Sequence, residues 1–136
     1  MGKRKALPPL AQQIFEIIAY WQPKLRLDNW KFSFKIHDDV KDIECFALNK
    51  QDPNYEIATI EVLDPSKIPE SWKGCRDIEV TILHELLHTR LLYVAPLPEK
   101  KKEKGKKANW QVEMAVETIS RAMVAAKRGI EPEDIK

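Results

Sequence analysis

Two cysteines in 136 residues, Cys45 and Cys75, are too few for a disulfide framework and are not spaced as a CxxC pair. Both read as reduced thiols of the core. No run approaches the roughly 18 apolar residues of a membrane span, and Met1-Gly2-Lys3-Arg4-Lys5 leads into Pro8-Pro9, not into the apolar stretch of a secretory signal. The expected setting is cytoplasmic, with no membrane partner. A large charge excess is missing too, since 23 Lys+Arg face 21 Asp+Glu for a net +2. A chain this short buries one core, which excludes architectures with separate catalytic and substrate domains. No internal repeat is found.

What charge there is lies unevenly. Lys3 to Lys5 carry +3 and Glu99 to Lys107 carry +4, leaving −5 for the rest. The chain divides into a basic N-terminal tail (1–7), a single domain (8–128) with an exposed Pro- and Lys-rich loop at 95–108, and a C-terminal tail (129–136). Basic runs such as Lys100–Lys107 can make weak contacts with nucleic acid or an acidic surface, although solvated, flexible segments have the same composition.

Pro8-Pro9 can open a helix, because proline at the first helical position gives up no needed hydrogen bond. Leu10, Ile14, Ile17, Ile18 and Trp21 then recur at helical spacing until Gln22-Pro23. Trp30, Phe32, Phe34 and Ile36 alternate with polar residues, the period of a strand with one face buried. Ile43–Leu48 and Tyr55–Leu63 read as two further strands in a hairpin about Asn49–Asn54. A helix is expected over about Arg76–Val94, and a last one over about Ala108–Lys127 with Val112, Val116, Ile119 and Met123 on one stripe. The fold class is α+β: three main helices with a small three-stranded, mainly antiparallel sheet.

The second helix carries His84-Glu85-Leu86-Leu87-His88, an HExxH motif. Residues four apart on a helix lie one above the other, so both imidazoles can reach one zinc ion while Glu85 beside them reaches a water activated by that ion. Asp77, Thr81, His84, Glu85 and His88 form a narrow polar stripe on an otherwise apolar helix. Buried polar groups must be paired or bound to metal.

A catalytic zinc usually takes three protein ligands. His37, Cys45 and Cys75 all precede the motif, and the extended pattern HExxHxxGxxH fails at Leu91 and Val94. Among downstream carboxylates, Glu99 and Glu103 fall in the charged loop, and Glu131, Glu133 and Asp134 in the tail, where nothing would hold them rigidly. Glu113 and Glu117 remain, at i,i+4 on the last helix. Like charges at that spacing repel unless a cation or a proton-donating imidazole intervenes. The preferred assignment makes Glu113 the third ligand and Glu117 the acceptor orienting a ligating histidine. The reverse assignment stays open, as does an ordinary i,i+4 pair of Glu117 with Arg121.

His84-Glu85-x-x-His88 followed by Glu113-x-x-x-Glu117 resembles the gluzincin metallopeptidases, whose pattern is HExxH with a downstream ExxxD. This chain has Glu117 where that pattern has Asp. The element order also resembles the small ImmA/IrrE-type metallopeptidase domains of bacteria and their phages. The resemblance implies a minimal zincin-like fold, zinc as cofactor, a peptide or protein substrate, His84, His88 and Glu113 as ligands, Glu117 in support and Glu85 as general base of peptide hydrolysis. By that likeness Tyr55–Leu63 is the strand beside which a peptide would add. Tyr55 and Tyr93 read as packing residues, so no oxyanion-stabilising group is assigned. The alternative function is a non-catalytic, zinc-stabilised module that binds protein or nucleic acid.

Overall fold

A computed structural model of the chain describes residues 7–94 and 106–136, with side chains of the last helix described from Trp110 onward. The elements run α1 (Pro9–Lys24), β1 (Lys31–His37), β2 (Ala47–Asp52), β3 (Ile57–Leu63), α2 (Ile78–Arg90) and α3 (Lys106–Arg128), with short 3-10 turns between and after them. The expected α+β class of three helices and three strands is what the chain forms. Residues 1–6 of the basic tail and 95–105 of the Lys-rich loop, Glu99 and Glu103 included, lie outside the described residues. No helix among the described residues is long and apolar enough to cross a membrane.

Pro8 caps α1 and Pro9 opens it; Ala11, Ile14, Ile17, Ile18 and Trp21 are buried along one side. In β1 the alternation holds, with Lys31, Ser33 and Lys35 exposed and Phe32, Phe34 and Ile36 turned toward the core. The sheet order is β1-β3-β2. β3 pairs antiparallel with β2, from Ala47↔Val62 to Asp52↔Ile57, as a hairpin requires. Its other ladder, to β1 from Lys31↔Ile57 to His37↔Leu63, is parallel. The sheet is therefore mixed where a mainly antiparallel one was expected. The connection after β1 skips one place, leaving room for β3 to return between its predecessors.

Two consequences correct the sequence reading. β3 is hydrogen-bonded on both sides, so Tyr55–Leu63 offers no free edge to a peptide; the open edge beside the helices belongs to β2. The hairpin is also shifted along the chain: Asn49, Lys50 and Gln51, expected in the turn, are strand residues, and the turn falls at 53–56, with Glu56 at φ 52°. Asn49 and Gln51 are polar for a reason that periodicity does not reveal. Their side chains point inward and bind α2: Asn49 Nδ2 donates to Thr89 Oγ1 at 2.7 Å, and Thr89 Oγ1 donates to Gln51 Oε1 at 2.8 Å.

α2 is buried on nearly every side, between α1, α3 and β2. Asp77 caps it, Oδ1 accepting from the backbone N–H of Glu79 at 3.0 Å and of Val80 at 3.2 Å. In α3 the buried line runs through Val116, Ser120 and Val124; Ile119, expected on the apolar stripe, is 43% exposed. Residues 129–136 are not a loose tail. A 3-10 turn at Pro132–Asp134 folds them back, and Ile135 joins the core.

Candidate metal centre

His84 and His88 stand one turn apart on α2, with ring centroids 4.9 Å apart and planes at 63°. Across from them α3 presents Glu113 and Glu117, also one turn apart and just beside the buried Val116–Ser120 line. The Glu113 carboxylate spans the two imidazoles, Oε2 lying 2.9 Å from His84 Nε2 and Oε1 2.7 Å from His88 Nε2. One ligand atom from each of His84, His88 and Glu113 lies within 4.8 Å of the others, and among the described residues this is the one His/Cys/Asp/Glu group so arranged. That spread is close to the span of two zinc–ligand bonds of about 2.0–2.2 Å.

Glu117 takes the other side of the same ring, its Oε1 lying 3.0 Å from His84 Nδ1. Both His84 nitrogens thus face carboxylates, and an imidazole can donate from both only as imidazolium. Burial works against that charge, but the hydrogen bonds to Glu113 and Glu117 lift the His84 pKa to about 10. Burial likewise works against the Glu113 charge, and the hydrogen bonds from His84 and His88 pull its pKa down to about 2. The ordinary pairing weighed for Glu117 is present as well, though long: Arg121 Nη2 lies 3.8 Å from its Oε2.

Glu85 is 7% exposed. Desolvation pushes its carboxyl pKa up, against the pull of His84 and His88, which suits a group that must take and return a proton. Its backbone carbonyl accepts a 2.8 Å hydrogen bond from Asn49 Nδ2, so the edge strand fixes the turn of α2 that carries it.

Two clefts open on the cluster. One of about 400 Å³ lies on the His84 side, walled by Phe46, Cys75, Trp110 and Met114, with Lys73 and Arg121 also on its lining. The other, about 250 Å³, lies on the His88 side along Leu48, Asn49 and Gln51 of β2. Ala47, Glu85 and Glu113 line both.

All five residues singled out in the sequence, His84, Glu85, His88, Glu113 and Glu117, therefore meet in one place. His37 does not join them; its Nε2 pairs with Glu61 Oε1 at 2.7 Å on the sheet. Cys75 is buried and desolvation raises its pKa, whereas Cys45 is only partly buried instead of a core residue. Tyr55 and Tyr93, expected to pack, are 76% and 82% exposed and line neither cleft. Sequence reasoning missed Asn49 and the cleft side chains Phe46, Trp110, Met114 and Arg121. Those on α3 carry a signal that could have found them, because Trp110, Met114 and Glu113, Glu117, Arg121 continue the same i,i+4 face.

Comparison with family models, with curated proteins and with solved structures returned no match.

Proposed function

We propose that this chain is a zinc-dependent metallopeptidase acting in the cytoplasm, a hydrolase of the gluzincin type. The observation that carries the reading is the convergence of His84, His88 and Glu113 from two helices, with the buried Glu85 beside them at the junction of two clefts. Two imidazoles and a carboxylate fit Zn²⁺ and leave a fourth position free, the ligand set of a catalytic site. Such a zinc, when bound, polarises the substrate carbonyl and lowers the pKa of a water to about 7.

The chain's own residues do the rest. Glu85 takes the proton of the attacking water and returns it to the leaving amine nitrogen. Glu117 holds His84 through Nδ1, which leaves Nε2 aimed at the metal position. The substrate lies extended along the open edge of β2, where main-chain hydrogen bonds give affinity and the clefts receive alternate side chains.

The separating experiment is Glu85→Gln. Zinc analysis is expected to give about one ion per chain in both proteins, with hydrolysis of a mixed peptide pool falling about 10²–10⁴-fold in the variant. Equal hydrolysis in the variant would remove Glu85 from the mechanism. A wild-type chain that holds zinc and cuts nothing would leave the non-catalytic, zinc-stabilised binding module.

A further inference from the structure

The larger cleft is built for more than passage. Its wall at Phe46 is fixed from behind: the ring stacks on Trp72 with centroids 5.6 Å apart, and Gly74, at φ 136°, comes so near that a Cβ there would lie 2.8 Å from Phe46 Cε2. Met114 and Trp110 face it from α3. Such a lining favours an apolar body, yet two cations, Lys73 and Arg121, share it. The nearby carboxylates are shared with the histidines: Glu113 faces both imidazoles, and Glu117 gives Oε1 to His84, leaving only Oε2 for a long ion pair with Arg121. Glu117 Oε2 is 3.8 Å from Arg121 Nη2, beyond hydrogen-bond length, and no side-chain hydrogen bond to a described residue engages the guanidinium. Its planar fork of five donors is left facing the cleft.

We infer that Arg121 is a specificity residue: it receives a carboxylate of a peptide whose apolar side chain fills the cleft between Phe46 and Met114. This rests on the peptidase reading. A guanidinium in a largely apolar, partly desolvated cleft binds a carboxylate bidentately and far more strongly than it would in open water. Arg121 lies two helical turns beyond Glu113, about 12 Å along the axis at 1.5 Å per residue. An extended peptide advances about 3.3–3.6 Å per residue. The carboxylate therefore belongs about three to four residues from the scissile bond, either on an Asp or Glu side chain or at the chain end.

The test uses the zinc-loaded full chain. Peptides cut from a quenched-fluorescent random pool are remade with Glu or Gln at those positions, and separately as shortened free acids or amides. The acid form is expected to lead its neutral twin in kcat/KM by about tenfold or more. Arg121→Gln should bring that ratio near one, and Arg121→Lys should keep part of it, having the charge without the fork. Whichever pair shows the preference tells side chain from chain end.

A second readout needs no turnover. Fluorescein-labelled alanine hexapeptides containing one Phe, in the same acid and neutral forms, are titrated by anisotropy into zinc-loaded Glu85→Gln and into Glu85→Gln/Arg121→Gln. An acid preference of about tenfold in the first protein and its loss in the second support the inference. No acid preference, or one that survives Arg121→Gln, overturns it while peptide cleavage stands. A wild-type chain that cuts nothing overturns the peptidase reading, and the anisotropy ratio still decides the role of Arg121.

Discussion

Glu113 and Glu117 are the same side chain four residues apart, and geometry gives them different work. Glu113 faces Nε2 of both histidines, whereas Glu117 reaches only the far nitrogen of His84. Removing Glu113 removes a proposed zinc ligand, so Glu113→Ala is expected to lose zinc on dialysis. Glu117→Ala leaves three ligands but frees the His84 ring, and is expected to weaken zinc affinity by about 10–100-fold. Metal analysis with a competing chelator reads both, and equal retention in the two variants would sink the assignment. The residues of this centre were legible because helical i,i+4 spacing is local: two such pairs on two helices need only one packing contact to meet. Arg121 was legible only in part. The i,i+4 pair with Glu117 is present at 3.8 Å, but nothing in the spacing says that Glu117 is also engaged by His84 or that the guanidinium lines a cleft.

At the level of elements, the centre depends on how α3 is held against α2. The tie lies at the far end from the loop: Arg128 forks onto Asp77, with Nη1–Oδ2 at 2.6 Å and Nη2–Oδ1 at 3.0 Å, and its Nη2 is also 3.1 Å from Glu79 Oε1. Lys127 and Trp21 Nε1 engage Glu79 Oε2, the latter at 2.8 Å, so α1 joins the same knot. Periodicity read the start of α2 as apolar apart from Asp77 and did not register Glu79, whose partners come from distant helices. Desolvation is the largest single influence and opposes the charge of both carboxylates. Arg128 with the backbone N–H groups of Val80 and Glu79 for Asp77, and Lys127 with Trp21 and Arg128 for Glu79, together outweigh it and hold each pKa below its ordinary 3.8 or 4.5. A carboxylate with a depressed folded-state pKa binds fewer protons folded than unfolded, so its contribution is complete above the ordinary value and is lost as pH falls through the lower one. Urea-unfolding free energy should therefore drop as pH falls below about 4.5. Glu79→Gln should be less stable at pH 7 and show a shallower acid limb. An acid limb as steep as that of the wild type would mean that the knot does not couple folding to pH.

For the whole molecule, the same question of what holds α3 leads to the last eight residues. They were expected to be a loose tail because Gly129 ends the helix and five of the seven residues after it are charged or proline; two isoleucines five residues apart, Ile130 and Ile135, give no periodic signal in such a stretch. The sheet order was hidden for a related reason, since alternation marks a strand's faces but not its neighbours, and β1 alone cannot announce that β3 will lie beside it in parallel. In the structure Ile135 is 4% exposed and part of the core, which anchors the chain beyond the C-terminal end of α3 and so steadies the helix that supplies Glu113 and Glu117. Ile135→Ala is expected to cost about 2–4 kcal/mol in urea unfolding without zinc, the range for removing a buried Ile side chain and leaving part of the space unfilled. If the proposed site holds zinc, the ion at about 100 times its dissociation constant should return about 2.7 kcal/mol of apparent stability to the wild type, because it would bind the folded chain. If Ile135 steadies the metal-bearing helix, the variant should show a smaller zinc-induced gain at that same concentration. An equal gain in both proteins would confine Ile135 to the core and separate the C-terminal segment from the metal centre.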